Sequence, residues 1–210
     1  MHALRLAGEI FARLERMDAA IAAAVAAGRC RHCEGPLHRG DYRRKPRGAL
    51  LAAAGEGFAL RYSLCCGRRG CRKRSLPPSL RFLGRRVYLE AVVVVASMIA
   101  QAVEVTARTA IAVTGTPLRT LRRWGTWWRE AFPKTSLWAD LRARFVPPPP
   151  NEADLPCSLI ARLGGDGDPR GAVTAEALLL AARHLAPATT ASVAEGSRFV
   201  NAAFALPGAW

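Results

Sequence analysis

Two cysteine pairs constrain this chain more than any other feature: Cys30-x-x-Cys33, and Cys66-x-x-x-x-Cys71. Paired thiolates two or four residues apart can reach one tetrahedral ion, each pair from its own tight knuckle. The segment that carries them needs such a tie, because residues 29–78 hold thirteen basic and three acidic side chains. So small and charged a unit cannot bury enough apolar area to fold alone, whereas metal binding adds about 10–16 kcal/mol of apparent folding free energy in small zinc peptides. The expected cofactor is therefore Zn2+, held by Cys30, Cys33, Cys66 and Cys71.

One strand is expected to feed the second knuckle. In Phe58, Leu60, Tyr62 and Leu64 the apolar residues alternate with Ala59, Arg61 and Ser63, the two-residue period of a half-buried strand. If the strand continues, Cys65 and Cys66 point to opposite faces, so only one ligates. Cys66 is preferred and Cys65 is the alternative. His32 and His38 are substitute ligands, each reading better as a solvent-facing residue near phosphates, and Cys157 stands apart as structural or incidental.

The rest of the chain reads as mainly α, giving a fold class of a small β zinc ribbon packed beside a helix-turn-helix bundle. Residues 1–27 form an N-terminal helix unit, with Leu6, Ile10, Leu14, Met17, Ile21 and Ala24 at alternating spacings of four and three and Gly28 as the stop. That stripe is expected to pack on its own domain; three heptads leave a coiled-coil homodimer open. Residues 28–78 are the ribbon and 79–146 the helical bundle. Within the bundle, helices are expected over 87–103, 104–113, 117–132 and 136–145. The helix over 117–132 starts with Thr116 as N-cap and Pro117 at the first helical position. Residues 147–210 are a proline spacer (Pro147 to Pro150) and a C-terminal tail. The tail has one helix, over 174–185, and is expected to be loosely attached.

Charge separates these parts. Residues 1–78 carry 16 basic and 6 acidic side chains, 79–146 carry 11 and 4, and 147–210 carry 4 and 6, or +10, +7 and −2. A high-GC coding bias explains why Lys is nearly absent, but not why acids fail to balance bases over 146 residues. A polyanion does, since phosphates and released counterions compensate a self-repelling surface. An anionic membrane surface is the main competing partner; a membrane span is not expected, because the longest nearly unbroken apolar run, 91–100, falls short of the about 20 residues that cross a bilayer. Glu9, Glu15 and Asp18 likewise argue against a signal peptide, so a reducing cytoplasmic, nucleoid-associated setting is expected.

Two sets of residues are candidates for nucleic acid. On a helical wheel of 117–132, Leu118, Leu121, Trp124, Gly125, Trp128, Ala131 and Phe132 form a core-facing arc. Arg119, Arg122, Arg123, Thr126 and Arg129 lie opposite, with Thr120 and Trp127 at the margin. An arginine-lined helix suits the major groove. Arg119, Thr120 and Arg123 are assigned to base edges, Arg122 and Arg129 to phosphates. The second set flanks the knuckles: Arg39, Arg43, Arg44, Lys45 and Arg47 after the first, Arg68, Arg69, Arg72, Lys73 and Arg74 around the second.

Taken together, Cys30-x-x-Cys33, Leu37-His38-Arg39, Tyr42-Arg43-Arg44-Lys45-Pro46-Arg47-Gly48, Cys65-Cys66 to Gly70-Cys71-Arg72-Lys73-Arg74, Pro77-Pro78-Ser79 and Arg81-Phe82-Leu83-Gly84-Arg85-Arg86-Val87-Tyr88-Leu89 resemble uncharacterised bacterial mobile-element-associated, transposase-like proteins. Those are similar in pairing an N-terminal zinc ribbon with a helix-turn-helix ending in Arg-Thr-Leu-x-x-Trp, here Arg119-Thr120-Leu121-Arg122-Arg123-Trp124. The likeness covers roughly residues 28–146 and implies a DNA-binding accessory of transposition, with double-stranded DNA and a transposase or recombinase as partners. No catalytic constellation accompanies it: Glu34, Asp41, Glu56, Glu90, Glu104, Glu130 and Asp140 are scattered, so no two-metal carboxylate site is expected. An RNA-binding zinc protein, stacking bases on Trp127, Tyr42 or Tyr62, and an interaction subunit of a larger transposase complex are the alternatives.

Overall fold

An apolar stripe with one acid inside it begins the fold. The computed structural model describes residues 8–45, 56–82, 108, 111–112, 115–148, 154–163, 175–189 and 193–205. Helix α1 (Gly8–Ala26) buries Leu14, Met17 and Ile21 as the spacing predicts, and Phe11 with them. Ala24 faces solvent instead, while the side chains of Leu6 and Ile10 lie outside the described residues. Asp18, on the same face, is 1% exposed. It accepts hydrogen bonds from Ser79 Oγ at 2.6 Å, Leu80 N at 2.7 Å and Arg81 Nε at 2.9 Å. Arg81, equally buried, also donates to the carbonyls of Gly57, Phe58 and Leu60. A fully satisfied buried pair thus joins α1 to the segment Ser79–Arg81.

Among the described residues, five short strands form two antiparallel sheets. In the first, β1 (Leu37–Arg39) pairs with β4 (Leu64–Cys66), which pairs with β5 (Arg74–Ser75). In the second, β2 (Tyr42–Arg43) pairs with β3 (Leu60–Arg61). The expected single strand from Phe58 is therefore corrected: residues Glu56–Ala59 turn in a 3-10 helix, and β3 and β4 take different partners. The break follows from Gly40 and Asp41 on the facing segment. Gly40 N donates to Ser63 O at 2.8 Å, and Ser63 N finds Asp41 Oδ1 at 2.9 Å, so a side chain supplies the rung that the ladder skips. Alternation fails as well, because Arg61 and Ser63 are buried. Arg61 is satisfied by the carbonyl of Pro77 at 2.7 Å, and Ser63 Oγ accepts from Arg74 Nη1 at 3.1 Å.

The helix expected over 117–132 is regular only in its first half. Helix α2 (Leu118–Thr126) continues as a π-turn, Trp127–Ala131, and a 3-10 turn, Phe132–Lys134. Pro117, in extended conformation with ψ 143°, is the cap residue, so the assignment of Thr116 as N-cap is corrected by one residue; Thr116 is buried. The wider π-turn offsets the drift of an i, i+4 row around an α-helix, which keeps Trp124, Trp128 and Phe132 all on the core side. Ala131, placed in the core arc by the wheel, is exposed. Thr135 caps α3 (Ser136–Arg142) by accepting from Trp138 N at 3.2 Å. Of the helices expected over 87–103 and 104–113, only residues 108 and 111–112 are described, and these are helical. The first helix of the expected helix-turn-helix thus lies almost wholly outside the described residues.

The segment after the prolines departs furthest from expectation. Its described part is not loosely attached: it forms α4 (Cys157–Leu163), α5 (Ala175–Leu185), a 3-10 turn (Ala186–Thr189) and α6 (Val193–Phe204). α6 packs on α1 and on the preceding 3-10 turn, and α5 on α4. Leu178, Leu185, Val200 and Phe204 share one apolar cluster with Phe11, Ile21, Trp124 and Trp128. Each such side chain contributes about 1.5–3 kcal/mol on full burial, enough to hold a segment rich in alanine and other small residues. The architecture is mainly helical with small antiparallel sheets.

Candidate metal centre

β1 and β4 bring the two knuckles together. Leu37 lies opposite Cys66 in the ladder, and Gly67 N donates to Pro36 O at 2.9 Å, so the turn after Cys33 is tied to the start of the second knuckle. In the first knuckle Cys30 O accepts from Cys33 N at 3.3 Å and from Glu34 N at 2.7 Å; in the second, Cys71 N donates to Arg68 O at 3.2 Å. The result is a set of four sulfurs, from Cys30, Cys33, Cys66 and Cys71, mutually within 4.8 Å. Cys30 and Cys66 are buried, Cys33 and Cys71 half-buried, and all four are free thiols.

The spacing fits an ion. Tetrahedral Zn–S bonds of about 2.3 Å put sulfurs roughly 3.8 Å apart, and the structure has Cys30–Cys71 at 3.8 Å and Cys33–Cys66 at 3.4 Å. Cys65 is excluded from the set by the alternation that admits Cys66. Its thiol turns outward and donates to Arg72 O at 3.4 Å. His32 and His38 are exposed and belong to no ligand group; Arg31 Nε donates to His32 Nε2 at 3.3 Å. Cys157 lies on α4, half-buried, where burial and then Asp154 raise its thiol.

Backbone amides complete the inner environment. Three of the cysteines receive an N–H from the residue two positions on: Cys33 from Gly35, Cys66 from Arg68 at 3.4 Å, and Cys71 from Lys73. The residue between is left-handed at two of these turns, Glu34 with φ 58° and Arg72 with φ 47°, and that conformation aims the next N–H back at the sulfur. Gly35 is needed for a second reason: a Cβ there would stand 3.0 Å from Cys66 Sγ and 2.9 Å from Arg68 Cβ. These contributions escaped sequence reasoning, although the glycine two residues after Cys33 is a readable signal.

The amides also divide the protons of the metal-free cluster. The Gly35 N–H brings Cys33 down to about 7, with neighbouring thiols donating to it. The Arg68 N–H acts on Cys66 in the same sense, but burial and the neighbouring thiols outweigh it and push that thiol up to about 12. Cys71 is raised too, despite the Lys73 N–H, by the Cys33 thiol and by burial. Metal binding to these thiols must expel their protons.

The chain matches no family model, no curated protein and no solved structure. What the site can do rests on its own chemistry, which is that of a closed, four-sulfur, structural ion site.

The basic residues around it fall into two kinds. Arg39 pairs with Asp41 at 3.0 Å; Arg68 Nη1 donates to Cys33 O at 3.0 Å; Arg44 lies 5.5 Å over the Phe82 ring and Arg74 5.4 Å over Tyr42. Arg43, Lys45, Arg69, Arg72 and Lys73 are exposed, and Arg47 lies outside the described residues. On α2 and the π-turn, Arg119, Arg122, Arg123 and Arg129 are exposed and Thr120 is half-buried. Among the described residues the ion pairs are Arg39–Asp41 and Arg81–Asp18, so no described carboxylate neutralises these four arginines. Trp127 and Tyr62 are less available: Trp127 packs against Trp128 and Phe132 at 4.7 and 5.1 Å, and Tyr62 is 8% exposed. Among the described residues, no helix is long and apolar enough to cross a membrane.

Proposed function

We propose that this chain is a zinc-dependent DNA-binding protein, acting as an accessory or regulatory protein of a mobile element. Zn2+ on Cys30, Cys33, Cys66 and Cys71 holds the ribbon, and α2 enters the major groove of duplex DNA. Arg119, Thr120 and Arg123 read base edges. Arg122 and Arg129, with Arg43, Lys45, Arg72 and Lys73 from the ribbon, neutralise phosphates.

The observation that carries this reading is the contrast between inner and outer arginines. Arg61 and Arg81 are buried and satisfied by carbonyls and Asp18, whereas the α2 arginines stand exposed with no described carboxylate beside them. Exposed charges on one helix face with no described carboxylate beside them call for an anion from outside. Base stacking on RNA finds less support, because Tyr62 is buried and Trp127 is packed against two other rings. The test is competition among duplex DNA, single-stranded DNA and RNA over a salt series. Duplex should win, with log K falling about 0.9 per log salt for each phosphate neutralised. Indifference to salt removes both nucleic-acid readings and favours the interaction subunit; a preference for single strands favours RNA.

A further inference from the structure

The two knuckles meet on one residue, Arg68, which stands between Cys66 and Cys71 in the chain and is exposed. Its backbone N–H donates to Cys66 Sγ at 3.4 Å, and its carbonyl accepts from Cys71 N at 3.2 Å. Both bonds lie within the second knuckle. Its guanidinium crosses to the first, 35 residues away in sequence, where Nη1 donates to Cys33 O at 3.0 Å. One residue thus bonds to Cys33, Cys66 and Cys71, all of them ligand cysteines.

The bond to Cys33 O falls on the most demanding peptide of the site. That peptide joins Cys33 to Glu34, a non-glycine residue held left-handed at φ 58°, and the left-handed turn is what aims the Gly35 N–H at Cys33 Sγ. A residue with a Cβ keeps this conformation only where its surroundings impose it. Here the peptide is gripped at both ends, its N–H by Cys30 O at 2.7 Å and its C=O by Arg68. Gly35 makes room for the same residue, since a Cβ there would stand 2.9 Å from Arg68 Cβ.

We propose that Arg68 is a positioning residue of the metal centre rather than a phosphate contact. It acts as a clasp: by holding the Cys33–Glu34 peptide it keeps Cys33 aimed at the ion and slows zinc release. This rests on the reading that zinc occupies the four cysteines. Four thiolates outweigh one divalent ion in charge, so every nearby cation favours the loaded site. The clasp has to be told apart from that general effect, which salt screens among exposed charges.

The experiment follows transfer of zinc from the full, zinc-loaded chain to a chromogenic chelator at low and high salt. Arg68→Ala should speed transfer roughly three- to tenfold, the weight of one exposed hydrogen bond, and should do so at both salt concentrations. Arg69→Ala removes the same charge from the exposed neighbouring position and should speed transfer less, and only at low salt. In a Glu34→Gly background, Arg68→Ala should lose most of its effect, because glycine holds a left-handed turn without help. Wild-type release from Arg68→Ala overturns the proposal, as does equal acceleration by Arg69→Ala or an undiminished effect beside Glu34→Gly. Should Arg68→Ala fail to fold, Arg68→Lys decides, since it keeps the charge but replaces the planar fork by a single ammonium: faster release at high salt supports the clasp, and a wild-type rate overturns it. A wild type that takes up no zinc removes the metal reading as well, whereas a loaded wild type with an unaccelerated Arg68 variant removes the clasp alone.

Discussion

Replacing Asp18 by Ala tests the joint between α1 and the segment Ser79–Arg81. The carboxylate is 1% exposed and collects three donors at 2.6 to 2.9 Å, from Ser79, Leu80 and Arg81. Truncation leaves the Arg81 guanidinium, with 0% side-chain exposure, charged and without its counterion. It also leaves the Leu80 N–H without its acceptor. Breaking a buried pair from one side costs about 3–5 kcal/mol. The three carbonyls that still receive Arg81 hold the loss within that range. Against a total stability of about 5–15 kcal/mol for a folded domain, the midpoint of guanidinium unfolding, followed by tryptophan fluorescence with zinc present, should fall markedly. Replacing both partners by apolar residues, Asp18→Leu with Arg81→Met, should cost less than Asp18→Ala alone, since no orphaned charge remains. A cost below about 1 kcal/mol for Asp18→Ala would refute the argument that this pair is desolvated and mutually dependent.

Gly35→Ala should speed transfer of zinc to a chelator, because its Cβ would sit 3.0 Å from Cys66 Sγ. Glu34→Gly should slow that transfer by relieving a left-handed non-glycine residue worth about 1–2 kcal/mol, and wild-type rates in both variants would count against the knuckle geometry. Burial first, then Arg183 and Arg144, lowers His184 from its ordinary 6.5 to about 4, so its contribution is fully present above pH 6.5 and is lost as pH falls toward 4. In chloride buffer the loss should reach up to about 3 kcal/mol, and His184→Gln should flatten that window; an unchanged profile contradicts the assignment. Arg123→Ala should weaken binding to a selected duplex by about 1–3 kcal/mol, whereas equal loss on every sequence would reduce Arg123 to a phosphate contact.

The cysteine pattern was the most legible part of the sequence, because metal geometry permits few spacings and strand alternation decides between Cys65 and Cys66. The stripe of α1 was legible at Leu14, Met17 and Ile21 for the same reason of fixed period. What escaped was whatever depends on partners distant in sequence. Asp18 looks like a polar interruption of a helix until Arg81 and Ser79 arrive from 61 and more residues away. Arg61 and Ser63 read as the outer face of a strand, since nothing local announces that Pro77 O and Arg74 will meet them. Helix α6 was overlooked because small residues dominate its neighbourhood. Yet Gly196, Val200, Ala203 and Phe204, all buried, have the i, i+4, i+7, i+8 spacing of an amphipathic helix. The π-turn at Trp127–Ala131 breaks the 3.6-residue period on which any wheel depends, which is why Ala131 was misplaced.

Native mass spectrometry of the full chain beside Cys33→Ser weighs the four-sulfur site most directly. Wild-type protein should carry a single zinc ion, displaced by acid, and the variant should lose it along with the fold of the ribbon. A metal-free wild type that remains folded, or a Cys33→Ser protein with undiminished metal content, would contradict the assignment on which the rest is built.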